Sequence, residues 1–216
     1  ALKALWPVTV ASDVRNWVGT HIHSGLISNA TVDLAMRGDV PAGGGIIAPE
    51  AALAFDFSEA AFTPFDDAPL IRDAVGRGKL SGNRFEITVD SGWVDLGAGR
   101  RLDVGPSTFV VPVVDAKVPD GEVTLRLSGP ASAGIALWNR LPLAEEADFS
   151  PDPAKAAGEM TADLSIRLPL AEEIADTDVV YGGRIDLAGF TPGTPINGRE
   201  IGRAHVRTPV TLESRM

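Results

Sequence analysis

The chain has 216 residues, 44% hydrophobic and 22% charged, which is enough to bury a core without disulfide or metal staples. Its 29 acidic against 19 basic residues give a net charge of -10, a balance that repels polyphosphate and argues against nucleic acid as a partner. With no cysteine, disulfides, iron–sulfur clusters, thiolate zinc sites and cysteine nucleophiles are excluded, and 23 Gly with 16 Pro point to many turns.

In chain order, the first element is a helix over Asp13 to His21. Ser12 is its N-cap, and Val14, Trp17, Val18 and Ile22 form its apolar stripe. Strict alternation follows, in Ala30, Val32, Leu34 and Met36 against Thr31, Asp33 and Arg37, and then in Leu53, Phe55 and Phe57 against Asp56 and Ser58. It continues in Phe85, Ile87 and Val89 and in Val123, Leu125 and Leu127, with Glu86, Thr88, Glu122, Thr124 and Arg126 on the other side. The longest case runs from Met160 to Leu170, where Ala162, Leu164, Ile166 and Leu168 share one face and Asp163 and Arg167 the other. Period two over such stretches means half-buried strands. Val179, Tyr181, Ile185 and Leu187 continue the pattern, while Phe109 to Val114 is apolar on both faces with Pro112 marking an edge or bulge.

Nine to eleven antiparallel strands are expected. A second helix is expected to begin at Gly129-Pro130, with Pro at the first helical position, and to run to about Leu141. The fold class is therefore all-β with two short helices, its sheet folded into a groove or packed as a sandwich. Residues 1–143 hold the first helix and groove segment, and 144–157 form a polar linker or loop. Residues 158–202 add strands to the same sheet, and 203–216 form an unpatterned, poorly ordered tail.

Catalytic signals are weak. His21 and His23 stand two apart, but the plainer reading is a helix end running into a strand. Asp66 and Asp67, between prolines, read as a solvated loop. Gly43-Gly-Gly45 lacks the frame of a phosphate loop, and Ser24, Ser91 and Ser107 lack a nucleophile elbow. No metal, cofactor or enzymatic activity is expected. Among Trp6, Trp17, Trp93 and Trp138, Trp93 is the candidate for an exposed platform, so a sandwich binding carbohydrate or protein stands as the alternative function.

One-sided strands must hide their apolar face, since each buried Leu, Ile, Val or Phe is worth about 1.5–3 kcal/mol. Two short helices are small for that task, which leaves a folded sheet with acyl chains as an additional filling. The candidate lining is Val32, Leu34, Leu53, Phe55, Phe57, Phe85, Ile87, Val123, Leu125, Leu127, Leu164, Ile166 and Leu168.

Five segments carry a family resemblance. Trp6-Pro7 precedes Asp13-Val-Arg-Asn-Trp-Val18 and Ile22-His-Ser-Gly-Leu-Ile-Ser-Asn-Ala-Thr-Val-Asp-Leu34. Gly78-Lys-Leu-Ser-Gly-Asn-Arg-Phe-Glu-Ile-Thr-Val-Asp-Ser-Gly92 follows, and Leu127-Ser-Gly-Pro-Ala-Ser-Ala133 comes last. In this order they resemble the central region of the AsmA-like bacterial envelope proteins, in particular the YhdP branch. The resemblance implies a "taco"-shaped β-groove in the periplasmic portion of an inner-membrane-anchored protein concerned with phospholipid transfer and outer-membrane integrity. It further implies phospholipid acyl chains and neighbouring segments of the same longer protein as partners. Membrane anchoring would come through parts absent from this chain, and no catalytic residues are implied.

Overall fold

The computed structural model describes residues 16, 19–35, 50–64, 68–141, 144, 150–171, 178–192 and 204–210, with the backbone alone at 34, 35, 50, 51 and 204–210. Ten strands form one antiparallel sheet that follows the chain order. They are β1 (Ile22–Ala35), β2 (Glu50–Phe62), β3 (Ile71–Ser81), β4 (Arg84–Asp95), β5 (Arg101–Val104), β6 (Ser107–Val111), β7 (Asp120–Pro130), β8 (Ala157–Pro169), β9 (Val180–Thr191) and β10 (Ala204–Val210). The expected all-β class and strand number hold, and the described strands make one sheet rather than two stacked ones.

β5 and β6 share one position in the sheet, each pairing with both β4 and β7. The break between them is closed by Ser107, whose hydroxyl donates to Gly105 O at 3.0 Å and accepts the Arg126 N–H at 3.0 Å. That accounts for a polar side chain only 6% exposed. Both hydroxyl roles are taken by backbone, so Ser107 is a structural residue.

Pro130 is the N-cap of helix α1 (Ala131–Trp138) rather than its first helical residue, and the helix stops short of the expected Leu141. It buries Ala131, Ala133 and Ile135 and lies over β5, β7 and β8. Of the helix expected over Asp13 to His21, residues 16 and 19–21 are described and helical, and β1 begins at Ile22. The chain between α1 and β8 is not wholly solvated, since Pro151 is buried and its carbonyl accepts a hydrogen bond from Asn139 Nδ2 at 3.0 Å. Residues 204–210, within the segment expected to form a poorly ordered tail, pair with β9 as β10. Alternating Val206, Thr208 and Val210 suits a strand, and Arg203 to Met216 was too short of contrast to show it.

Three neighbouring strands carry β-bulges. Register slips between Ser28 and Thr31 on β1, Phe57 and Ala60 on β2, and Arg72 and Val75 on β3. Each slip contains a non-glycine residue with positive φ: Asn29 (49°), Glu59 (51°) and Asp73 (49°). Bulges bend a strand and raise its twist, so a diagonal row of three curls this half of the sheet. Side chains hold two of them, with Asn29 Nδ2 donating to Asp56 Oδ2 and Trp93 Nε1 to Asp73 Oδ2, both at 2.7 Å.

The two faces differ sharply. Across β7, β8 and β9 the convex face carries ion pairs Arg167–Glu122 (2.7 Å), Arg126–Asp163 (2.9 Å) and Arg184–Asp186 (3.0 Å). Hydrogen bonding and charge attraction from Asp186 hold the Arg184 pKa above arginine's ordinary value. The concave face holds the core, including Leu53, Leu80, Phe85, Leu102, Val111 and Leu127.

Candidate functional site

Residues directly opposite in an antiparallel pair share a face, so the register lays the concave side out in rungs. One rung joins Leu53, Leu80, Phe85 and Val111. The next joins Phe55, Gly78, Ile87, Phe109, Val123 and Ile166. A third joins Ile27, Phe57, Gly76, Val89 and Ser107. Past the bulges, Ala60 lies opposite Ala74 and Val104 opposite Leu127, and a last rung joins Ile22, Phe62, Ile71 and Val94.

A cavity of about 330 Å³ lies on this face, in the size range of small-molecule sites. It is bordered by Ile22 and Ile27 on β1, by Phe55 and Phe57 on β2, and by Leu125 and Ile166 on β7 and β8. β1 and β8 lie far apart in strand order, so sharing one cavity wall is the direct sign that the sheet curls. Its floor is buried, at Phe55, Phe57, Ile87 and Val89, while Ile22, Ile27, Val123 and Ile166 at its rims are half-buried. Among the described residues no Asp, Glu, Lys or Arg borders it, and His23 brings an imidazole to its wall.

Glycines shape the floor. A Cβ at Gly78 would stand 2.6 Å from Phe55 Cε1, and one at Gly76 would stand 2.6 Å from Phe57 Cζ. The two phenyl rings therefore lie over the bare backbone of β3, a large-on-small fit that keeps the cavity open above them.

Polar residues border it in two places: Ser107, Thr108 and Thr124 on β6 and β7, and His23 and Ser24 at the end marked by Ile22, Phe62 and Ile71. His23 and Ser24 border the cavity and are exposed, and His23 Nε2 lies 3.3 Å from Thr63 Oγ1. The Thr63 N–H donates to His21 O at 3.0 Å, tying the starts of β1 and the end of β2 together. Beyond the opposite end lies the first rung, where Leu80, Phe85 and Val111, which do not border the cavity, are at most 1% exposed.

Of the thirteen residues expected to line a groove, the cavity brings together Phe55, Phe57, Ile87, Val123, Leu125 and Ile166. Leu53, Phe85 and Leu168 are buried one rung beyond it, and Leu127 packs in the core on β7, one of the strands beneath α1. Leu164 is half-buried beside Leu125, outside the cavity wall. Val32 stands opposite Leu53 but at the edge strand, where it is 39% exposed. Leu34 has its backbone opposite Ala51, and its side chain lies outside the described residues. Arg126 and Arg167 face solvent while Leu125 and Ile166 turn inward, as alternation requires.

Sequence reasoning missed Ile22, Ile27, Phe62, Ile71, Val89, Val104 and Phe109 as cavity residues. Val89 and Phe109 carried a usable signal: Val89 follows Ile87 on the same face of β4, and Phe109 lies opposite Ile87 across the register. Trp93 is half-buried on the convex side, with the guanidinium carbons of Arg101 and Arg72 at 4.9 and 6.0 Å from its ring centroid. Those cations occupy the ring rather than leave it as a sugar platform. Asp66, Asp67 and Gly43–Gly45 lie outside the described residues, and among the described residues no cluster of three metal-ligating side chains forms. No helix among them is long and apolar enough to cross a membrane. No family model, curated protein or solved structure matches the chain.

Proposed function

We propose that this chain is a non-enzymatic, acyl-chain-binding segment of a bacterial envelope protein. It would lie in the periplasm, held to the inner membrane through other parts of the same longer protein, and contribute to phospholipid transfer and outer-membrane integrity. The observation that carries the reading is the apolar cavity of about 330 Å³ on the inner face of a single curled sheet. Aromatic and aliphatic side chains make up most of the lining, beside Ser107, Thr108 and Thr124, while the ion pairs Arg126–Asp163 and Arg167–Glu122 lie on the convex face. The envelope setting rests on the resemblance of Trp6-Pro7, Asp13 to Val18, Ile22 to Leu34 and Gly78 to Gly92 to the AsmA-like proteins.

The test is lipid extraction from natively purified protein, followed by mass spectrometry. Phospholipid or fatty acyl species should co-purify in near-stoichiometric amount. If none does, and if the protein also takes up no acyl chain from labelled phospholipid vesicles, the reading fails.

A further inference from the structure

We infer that the cavity holds one acyl chain, methyl end first, with its polar head group beside His23 and Ser24. The inference rests on the acyl-binding reading and narrows it to a single-chain site with a defined polarity. Three observations carry it.

The first is length. From the Phe55–Ile87 rung to the Phe62–Ile71 rung is three two-residue steps, which at a strand rise of ~3.3 Å per residue is about 20 Å. A bilayer core of ~30 Å gives each leaflet's chain about 15 Å, so one chain fits lengthwise.

The second is section. A volume of about 330 Å³ over that length leaves a column of ~16 Å². That is about the square of a ~4 Å carbon–carbon contact distance, room for one chain and not for two abreast. At the ~30 Å³ a water-sized group takes up, the column holds about eleven methylene-sized groups.

The third is the difference between the ends. The rung of Leu80, Phe85 and Val111, just beyond the cavity, is fully buried and apolar, and before it Phe109, Val123 and Ile166 border the space with Thr108 and Thr124. At the other end His23 and Ser24 are exposed and polar, beside the Thr63 hydroxyl, and can hydrogen-bond a carboxylate or an ester carbonyl.

A free fatty acid and a lysophospholipid present the same chemistry, and calorimetric titration of the full chain separates them. Saturated fatty acids from octanoic to octadecanoic are titrated below their micelle concentrations, beside lysophosphatidylcholines with the same tails. One equivalent should bind, with affinity rising to a tail of about eleven carbons and then levelling or falling. Binding of both series places recognition in the tail, and binding of one alone identifies the head group. Ile166→Phe, on the rung nearest the closed end, should move the optimum to shorter tails, and Val123→Leu on the same rung serves if the first variant does not fold. His23→Ala should weaken all tail lengths alike, by about two- to tenfold for one lost hydrogen bond. Two equivalents per chain, affinity that climbs steadily to octadecanoic acid, or an optimum unmoved by the rung variants would overturn the single-chain assignment while leaving acyl binding in place. No heat with any acyl compound would instead remove the acyl-binding reading itself.

Discussion

The phenyl ring of Phe55 lies over Gly78, so closely that a Cβ at that glycine would fall 2.6 Å from Phe55 Cε1. Phe55 is 4% exposed and forms cavity floor, so the ring has little room to retreat except into the cavity. Gly78→Val should cost about 1–3 kcal/mol by overpacking, read as a lower midpoint in urea unfolding. Adding Phe55→Leu should recover part of that loss, and additive effects of the two changes would contradict the contact.

Burial separates two residues that alternation placed on one face. Phe85 is fully buried, and Phe85→Ala should cost about 3–5 kcal/mol. Val32, 39% exposed at the edge strand, should cost well under half as much when cut to Ala. Equal losses in chemical denaturation would mean that β1 is covered far better than the described residues allow.

The bulge on β3 depends on Asp73, which holds a positive φ of 49° and accepts the Trp93 indole N–H at 2.7 Å. A double-mutant cycle with Asp73→Ala and Trp93→Phe should give a coupling of about 0.5–1.5 kcal/mol. Asp73→Gly should be milder than Asp73→Ala, because glycine adopts positive φ without strain.

Asp186 raises the Arg184 pKa, so this contribution to stability is fully present below arginine's ordinary pKa and is lost only as pH climbs through the raised value. The loss caused by Arg184→Gln should therefore be the same at about pH 6 and about pH 9. Because the pair is exposed, raising salt should shrink it, and thermal melts at low and high ionic strength check both points.

The acyl reading also predicts a stability shift. A ligand at one hundred times its dissociation constant stabilises the folded state by about 2.7 kcal/mol, so dodecanoic acid should raise the melting temperature in proportion to its measured affinity. Tails that calorimetry finds not to bind should leave the melt unchanged.

Much of the sheet was legible because its period is two: β4, β7 and β8 run through Phe85–Val89, Val123–Leu127 and Met160–Leu168 without interruption. β3 was illegible for a physical reason. Its inward positions at Gly76 and Gly78 carry no side chain, the rings above them being lent by β2, so its own letters show no alternation. Bulges hid the rest of the cavity. On β2 the inward residues are Leu53, Phe55 and Phe57 up to the slip and Ala60 and Phe62 beyond it, so parity reverses within one strand. Ile22 fits a helical stripe and a strand equally well, and only pairing with Phe62 decides between them.

Apart from β6, which shares a position with β5, each strand lies beside its predecessor in the chain, so the sheet can grow by successive short hairpins, and few distant segments have to meet early. The binding space is another matter. Ile22 on β1 and Ile166 on β8 lie far apart in the chain and border the same volume, so that volume is finished only after β8 has been laid down. Fragments ending before β8 would own a greasy half-pipe with one bank missing, and uptake of a tail would serve as a late reporter of completed assembly.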